Sequence, residues 1–482
     1  MSKFFAFIGL LTAAVCFSLQ SCNDFQNSIA DLQPEVISTR SDASEMHGDK
    51  FEVTQRMAEI FISSNKDNPP IISIVPFNID GVTCFYIFNF EKGFKVVSAD
   101  TRVQPILAES DRESLVPSET DNPGVKFWLE DTADRIKVLK ENNPDTGEDY
   151  TELWSAYRIP ANKDGIQTRS HEVDSVWILV HNTSEEVLYN NANVGPLLST
   201  KWGQGSPWNA KMPMINGIKC KTGCVAVATA QVLYYFHYQN NIPKDFWETI
   251  SIQNTSTCCI THGGVNVTLN KSNYVSDSSR WLFMAEDRYN LDTDYVSELM
   301  LDLGERLNMH YGTGSSAVIH ASDLSIPQLS SCGLSYSFDT YTFQKVKNNS
   351  LTLKPVIISG WTANPGSSGA EGHTWVIDGC RDYSIRYTTT VAYHCIHVDQ
   401  LVNYSNYSDV LSYDEMMSMY PDASGGVYQL SYSVSYDNQQ SLHMNWGWDG
   451  NSNGWYNLLN NEWQSYSYCR VIHNNLSASQ LN

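Results

Sequence analysis

Residues Thr222-Gly223-Cys224-Val225-Ala226-Val227-Ala228-Thr229-Ala230-Gln231 restrict the fold more than any other stretch of this chain. A glycine turn delivers one cysteine to the first turn of a helix. Val225, Ala228, Val232 and Phe236 then recur at helical spacing and give that helix a face to bury. Unpaired backbone N–H groups and the helix dipole at Cys224 favour negative charge, and the same field draws a thiol toward its nucleophilic thiolate. Free cysteine is also among the most buried residue types, so a space-filling role stands beside the nucleophilic one. What separates the two is whether the rest of the chain supplies partners for a thiolate.

At 482 residues the chain exceeds one ordinary core, and two domains plus targeting material are expected. Aromatic residues make up 12% and charged residues 17%, a globular and not a disordered balance. With 53 acidic against 31 basic residues the net charge is −22, which excludes nucleic acid as an expected partner because phosphate neutralisation needs clustered Lys and Arg. Lys3 precedes an apolar run, Phe4 to Leu19, long enough for a signal sequence and short for a membrane span. The run ends in Leu19-Gln20-Ser21-Cys22, which resembles a bacterial lipobox with Gln20 in place of the usual small residue. Residues 1–21 are therefore read as a signal peptide, Cys22 as the lipid carrier and 22–47 as a tether, with ordinary cleavage near Ser21 as the alternative. Either route exports the chain, as an envelope lipoprotein or a secreted protein, with membrane contact only through the lipid. Of 11 cysteines, Cys84 stands alone in the remaining first half and eight occupy the second, so a dense disulfide framework is not indicated.

A first domain with its linker is assigned to 48–190. Phe51–Ser63 and Val125–Asn142 read as helices, and Thr83–Asn89 and Gly93–Ser98 as strands. The polar stretch from Asn162 to Val194, with Asn190-Asn191-Ala192-Asn193, reads as a linker. A second domain, 191–482, has a helical front including Tyr295–Met309. Its strand-rich back includes Pro355–Ile358, Thr374–Ile377 and Trp455–Leu458. That order of elements predicts an α+β domain.

A cysteine nucleophile needs a base, a group that orients the base, and donors for an oxyanion. His373 begins an apolar strand just after the glycine-rich loop Pro365–Gly372, and suits the base. Asn445, within His443-Met444-Asn445-Trp446-Gly447-Trp448, offers an amide to hold the imidazole, with Trp446 or Trp448 to exclude water. Gln204, within Trp202-Gly203-Gln204-Gly205-Ser206-Pro207-Trp208, offers a side-chain N–H beside the Cys224 backbone N–H. Each alone has a structural reading, as a satisfied histidine, a packed amide or a turn. Together, in the order Gln, Cys, His, Asn, they make a catalytic set.

Those four segments resemble the streptopain-like cysteine peptidases, family C10, as does Met309-His310-Tyr311-Gly312-Thr313-Gly314-Ser315-Ser316-Ala317. Gly93–Arg102, continuing into Pro105-Ile106-Leu107, resembles the pro-domain of that family. The resemblance spans about 48–475. It implies an α+β fold of papain-like, two-lobed form, a helical lobe against an antiparallel β lobe, preceded by a small α+β pro-domain. It further implies an endopeptidase made as a zymogen, acting on protein or peptide substrates and blocked by its own pro-domain. Cys224 would be nucleophile, His373 general base and acid, Gln204 an oxyanion donor, and Asn445 with Trp446 the pair that orients and shields His373. The activating cut would fall between Arg169 and Val194. No cofactor and no metal are implied, only a reducing milieu.

Two features depart from the family pattern. About 60 residues separate Asp378 from His443, where a short hairpin is expected, and this insert could cover or extend the cleft. Cys220 lies four residues before Cys224, and a bond between them would gate activity by redox state. Three rivals remain. Zinc could be read at Cys258-Cys259 with His262, or at His394, Cys395 and His397, but neither spacing is standard. A silent surface lipoprotein could serve as a binding or protease-inhibitor module, and a Cys-His cell-wall amidase would leave the long first domain unexplained.

Overall fold

The computed structural model describes residues 51–65, 67–142, 150–155, 157, 175–236, 255–260, 266–270, 284, 286–289, 293–318, 324–361, 372–397, 411–412, 427–457 and 471–478. The signal region, Cys22, the tether, Arg169 and the glycine-rich loop before Gly372 lie outside the described residues.

The N-terminal unit is a small sheet covered by helices. Helix α1 (Gln55–Ser64) starts where the Thr54 hydroxyl accepts the Met57 N–H, and it buries Met57, Ile60 and Phe61. Strands β1 (Ser73–Ile79), β2 (Val82–Asn89), β3 (Phe94–Ser98) and β4 (Ile106–Ser110) form an antiparallel meander. Helix α2 (Pro123–Asn142) lays Val125, Trp128, Leu129, Ile136 and Leu139 onto it. Pro123, which has no N–H to leave unpaired, opens α2, while the Asn122 side-chain oxygen accepts the N–H groups of Gly124 and Val125. A short helix, α3 (Thr151–Ser155), ends the unit.

The next element corrects a sequence expectation. Residues 175–194, expected within a linker, form a strand, β5 (Ser175–Val194). Its first half carries a strand signal in the apolar run Val176–Val180, and the polar residues and asparagines that follow it gave the stretch its linker-like look.

In the second unit β6 (Met214–Ile215) and β7 (Ile218–Lys219) form a tight hairpin ahead of helix α4 (Cys224–Tyr234), whose residues after Cys224 are all buried. Strands β8 (Thr255–Ile260) and β9 (Asn266–Asn270) pair apart from the main sheet. Helix α5 (Thr293–Arg306) buries Val296, Leu299, Met300 and Leu303 in the same core cluster as α4. Then come β10 (Leu334–Thr340), helix α6 (Phe343–Leu351), β11 (Val356–Trp361), β12 (Gly372–His397), β13 (Leu411–Ser412), β14 (Val427–Asn445), β15 (Gly454–Tyr456) and β16 (Val471–Ala478).

One sheet joins both units in the order β1-β2-β3-β4-β15-β14-β12-β11-β16-β10. The junction is β4 against β15, where Glu109 opposes Trp455 and Ala108 opposes Tyr456. Beneath it a single core cluster mixes Phe85, Trp128 and Leu129 of the first unit with Trp375, Trp446 and Tyr456 of the second. The architecture is α+β, a helical side around α4 and α5 and an antiparallel sheet, preceded by a smaller α+β unit.

In its described residues the insert after Asp378 continues β12 and β14 as a long antiparallel pair, and β5 pairs along the outer side of β12 from Cys380 to His397. This pair packs on the N-terminal unit, where Ile385 and Tyr387 join a cluster with Phe61, Trp154 and Tyr157. Residues 398–410 and 413–426 of the insert lie outside the described residues, and with them the cleft cover considered from sequence.

Candidate active site

Cys224 is the first residue of α4, and the preceding turn explains both glycine and cysteine. Gly223 has φ +91°, and a side chain there would meet Met309 and the Ser316 carbonyl at 2.9 Å. The turn is pinned on two sides. The Thr222 N–H donates to the Gln204 carbonyl at 3.1 Å, and the Lys221 N–H donates to the Gly312 carbonyl at 2.9 Å. The Ser316 hydroxyl donates to the Lys221 carbonyl at 2.6 Å. The Met309–Ala317 segment and the buried Gln204 are thereby held against the cysteine turn.

His373 is the second residue of β12 and is buried. Its ring stacks on Trp375 with centroids 5.7 Å apart, and the Trp448 ring meets it edge-on at 6.1 Å. The next residue, Thr374, lies against the Cys224 thiol, so the start of α4 packs on β12 one residue along from His373, whose ring lies on the Trp375 side of the strand.

Two placements differ from the roles read in the sequence. His373 Nε2 lies 3.0 Å from the Trp446 backbone carbonyl. A carbonyl only accepts, so Nε2 carries the proton and Nδ1 is left as the basic nitrogen. The orienting group is thus a main-chain oxygen. Asn445 sits elsewhere, donating through Nδ2 to the Thr200 carbonyl at 2.8 Å and accepting the Gly447 N–H. It braces the loop that carries Trp446. The Trp446 indole is fully buried, donating to the Ser452 carbonyl and packed against Trp375 and Tyr456.

The N-terminal unit reaches this site directly. A side-chain carbon placed on Gly124 would lie 2.3 Å from Trp446 Cε3 and 2.9 Å from His373 Cδ2, so α2 abuts both residues end-on. Asn122 adds a hydrogen bond from Nδ2 to the Asn451 carbonyl.

Burial sets the electrostatics. It pushes the Cys224 thiol up, against the pull of the N–H groups of Thr374, Val225 and Cys224 and of the Thr374 hydroxyl. It drives the His373 imidazole down to about 4, against the opposing effect of the Trp446 carbonyl. In this state the pair is thiol and neutral imidazole. A histidine lowered on folding contributes stability that is whole above its ordinary pKa and lost as pH falls through the folded value. Charging His373 should therefore cost the folded chain about 2 kcal/mol between pH 7 and pH 5. In a Cys224→Ala background, the stability difference between the His373 and His373→Gln chains should narrow by that amount over this range. A pH-independent difference would refute the assignment.

Further residues escaped sequence reasoning. His443 Nδ1 donates to Asp378 Oδ1 at 2.6 Å, and Asp378 Oδ2 accepts the Leu198 N–H at 3.0 Å. The Asp378 carbonyl accepts the Leu197 N–H at 2.7 Å. This buried pair ties β12, β14 and the start of the second unit together beside the site. Both residues enter the sequence reading as the bounds of the insert, without a role, and only the fold makes them neighbours. Cys220 and Cys224 are both free thiols. Among the described residues no cluster of His, Cys, Asp and Glu is arranged to hold a metal, and no helix is long and apolar enough to cross a membrane.

The profile of the Peptidase C10 family matches residues 202–456, just over half of the chain and the segment holding all five site residues. The chain belongs to the Peptidase C10 family. A second profile, the Spi protease inhibitor, matches residues 78–136, which run from β1 into α2. Streptopain of Streptococcus pyogenes is 25% identical to this C10 chain over 244 residues, covering 48% of it and 51% of streptopain. The chain thus matches about half the length of that curated relative. Among solved structures, a fragment of Prevotella intermedia prointerpain A is 20% identical, with a TM-score of 0.48 over 83% of this chain and 98% of that one. The active interpain A cysteine protease of the same organism is also 20% identical, with a TM-score of 0.35 over 59% and 95%.

Proposed function

We propose that this C10 chain is a cysteine endopeptidase made as a zymogen, its pro-domain beginning near residue 48 and ending before β5, and its catalytic domain comprising β5 and residues 191–482. The observation that carries this reading is the placement of the Cys224 thiol at the start of α4, against Thr374 of the strand that also carries His373. Attack of Sγ on a peptide carbonyl would form a tetrahedral adduct whose oxyanion is held by the Cys224 N–H and the Gln204 side chain. His373, with Nε2–H fixed by a carbonyl, would protonate the leaving amine through Nδ1. It would then take a proton from the water that attacks the thioester.

Latency has a physical basis in the same geometry. With α2 against Trp446 and His373, burial keeps both partners neutral. Removing the pro-domain readmits water, lets the thiol pKa fall and the imidazole pKa rise, and favours the thiolate–imidazolium pair. The Lys3-to-Cys22 segment supports export with a lipid on Cys22.

Labelling with an iodoacetamide-class or epoxysuccinyl inhibitor, mapped by mass spectrometry before and after removal of the N-terminal unit, tests the reading. Cys224 should label about 100-fold faster once the unit is gone. If it then reacts no faster than Cys220, the silent binding or inhibitor module becomes the better account. Gln204→Ala should lower the peptidase rate roughly 10²–10³-fold with little change in KM. An unchanged rate would remove Gln204 from the oxyanion role.

A further inference from the structure

The described extensions of β12 and β14 pack on the N-terminal unit. The Phe61 ring of α1 meets Tyr387 at 6.0 Å, and Ile385 and Tyr387 are buried in the aromatic cluster of Phe61, Trp154 and Tyr157. The Tyr157 hydroxyl lies 2.8 Å from the Thr183 hydroxyl of β5 and 3.4 Å from that of Thr389 on β12. At the rim, Arg381 donates to Glu109 of β4 at 2.5 Å, and Lys95 adds a second cation 3.6 Å from Glu109. A cavity of about 300 Å³ between the two, lined by Ile62, Lys95, Glu185, Arg381 and Gln439, marks where this contact is polar and incompletely filled. Strand β5 belongs to the side of β12 and β14, since it pairs with β12 from Cys380 to His397.

We infer that the β5–β12–β14 sheet is a docking surface for the N-terminal unit, separate from the cleft, so that cutting the chain before Ser175 leaves residues 51–157 bound as a noncovalent partner. The inference rests on the zymogen reading. Apolar burial, a buried hydroxyl network and an ion pair act here in parallel with the α2 contact at Trp446. Two contacts made by one rigid body reinforce each other, and losing one leaves the other engaged. Within the interval from Arg169 to Val194, the paired strand occupies residues 175–194. A peptide must be extended and unpaired to enter a peptidase cleft, so the cut falls on the N-terminal side of Ser175.

The test uses the full chain carrying Cys224→Ala, so no self-cleavage intervenes, with a recognition site for an unrelated protease placed within 158–174. After nicking, the two pieces should co-elute in size exclusion at about 1 μM and separate slowly on dilution. Arg381→Glu should speed separation at least tenfold, and adding Glu109→Arg should restore slow separation. Phe61→Ala, which leaves the β12–β14 pair intact, should also speed it. Immediate separation of the nicked native pair, or a rate indifferent to both Arg381→Glu and Phe61→Ala, would overturn the inference. Because no activity is read, such a failure leaves the peptidase reading to the Cys224 labelling experiment.

Discussion

Cys224→Ser is expected to abolish both self-maturation and cleavage of casein, with a loss of at least about 10⁴-fold against a small peptide substrate. The exchange alters one atom, and a serine hydroxyl would still find the Thr374 groups that face the thiol. The fold should therefore survive, and an unchanged melting temperature would show it. What is lost is the thiolate, because an alcohol beside a single imidazole does not ionise as a thiol does. His373→Ala should give a loss of similar size, since each partner depends on the other. If the purified Cys224→Ser chain still trimmed itself, or kept more than a hundredth of the wild-type rate, Cys224 would not be the nucleophile.

Gly124→Ala should unlock the uncut chain. Alanine is the better helix former by about 1 kcal/mol, so on propensity alone the change would strengthen α2. The added methyl, however, would lie 2.3 Å from a Trp446 ring carbon, and Trp446 has nowhere to go among Trp375, Tyr456 and its bond to Ser452. Overpacking of this kind costs about 1–3 kcal/mol, which exceeds the gain and is relieved most simply by lifting the start of α2 off the site. The Cys224 thiol of the uncut chain should then react with iodoacetamide roughly tenfold to a hundredfold faster, and maturation should begin sooner. An unchanged labelling rate would show that α2 does not guard the site.

Local signals in the sequence carried much of this. The apolar spacing after Cys224 announced α4, and the run after His373 announced the start of β12. What escaped depends on groups that side-chain patterns do not display. The partner of His373 Nε2 is a backbone carbonyl, which every residue has, so Asn445 drew the role on chemistry alone. Asp378 and His443 stand 65 positions apart, and their pairing follows from the register of β12 on β14. Strand β5 carries asparagines where a linker would, and it exists because β12 offers it a free backbone edge. The place of the β12 and β14 extensions was not read from sequence, although Tyr383, Ile385 and Tyr387 alternate along one face of β12.

The sheet that crosses from one unit to the other at β4 and β15 has a consequence for the protein once its first unit departs. Departure strips β15 of its neighbour and turns an interior strand into a border, with unpaired N–H and C=O groups of the kind through which proteins aggregate. Here the new border is three residues long, Gly454–Tyr456, too brief to template a second chain. The border left at β15 therefore gives the freed second unit no seam long enough to pair strand-to-strand with a copy of itself.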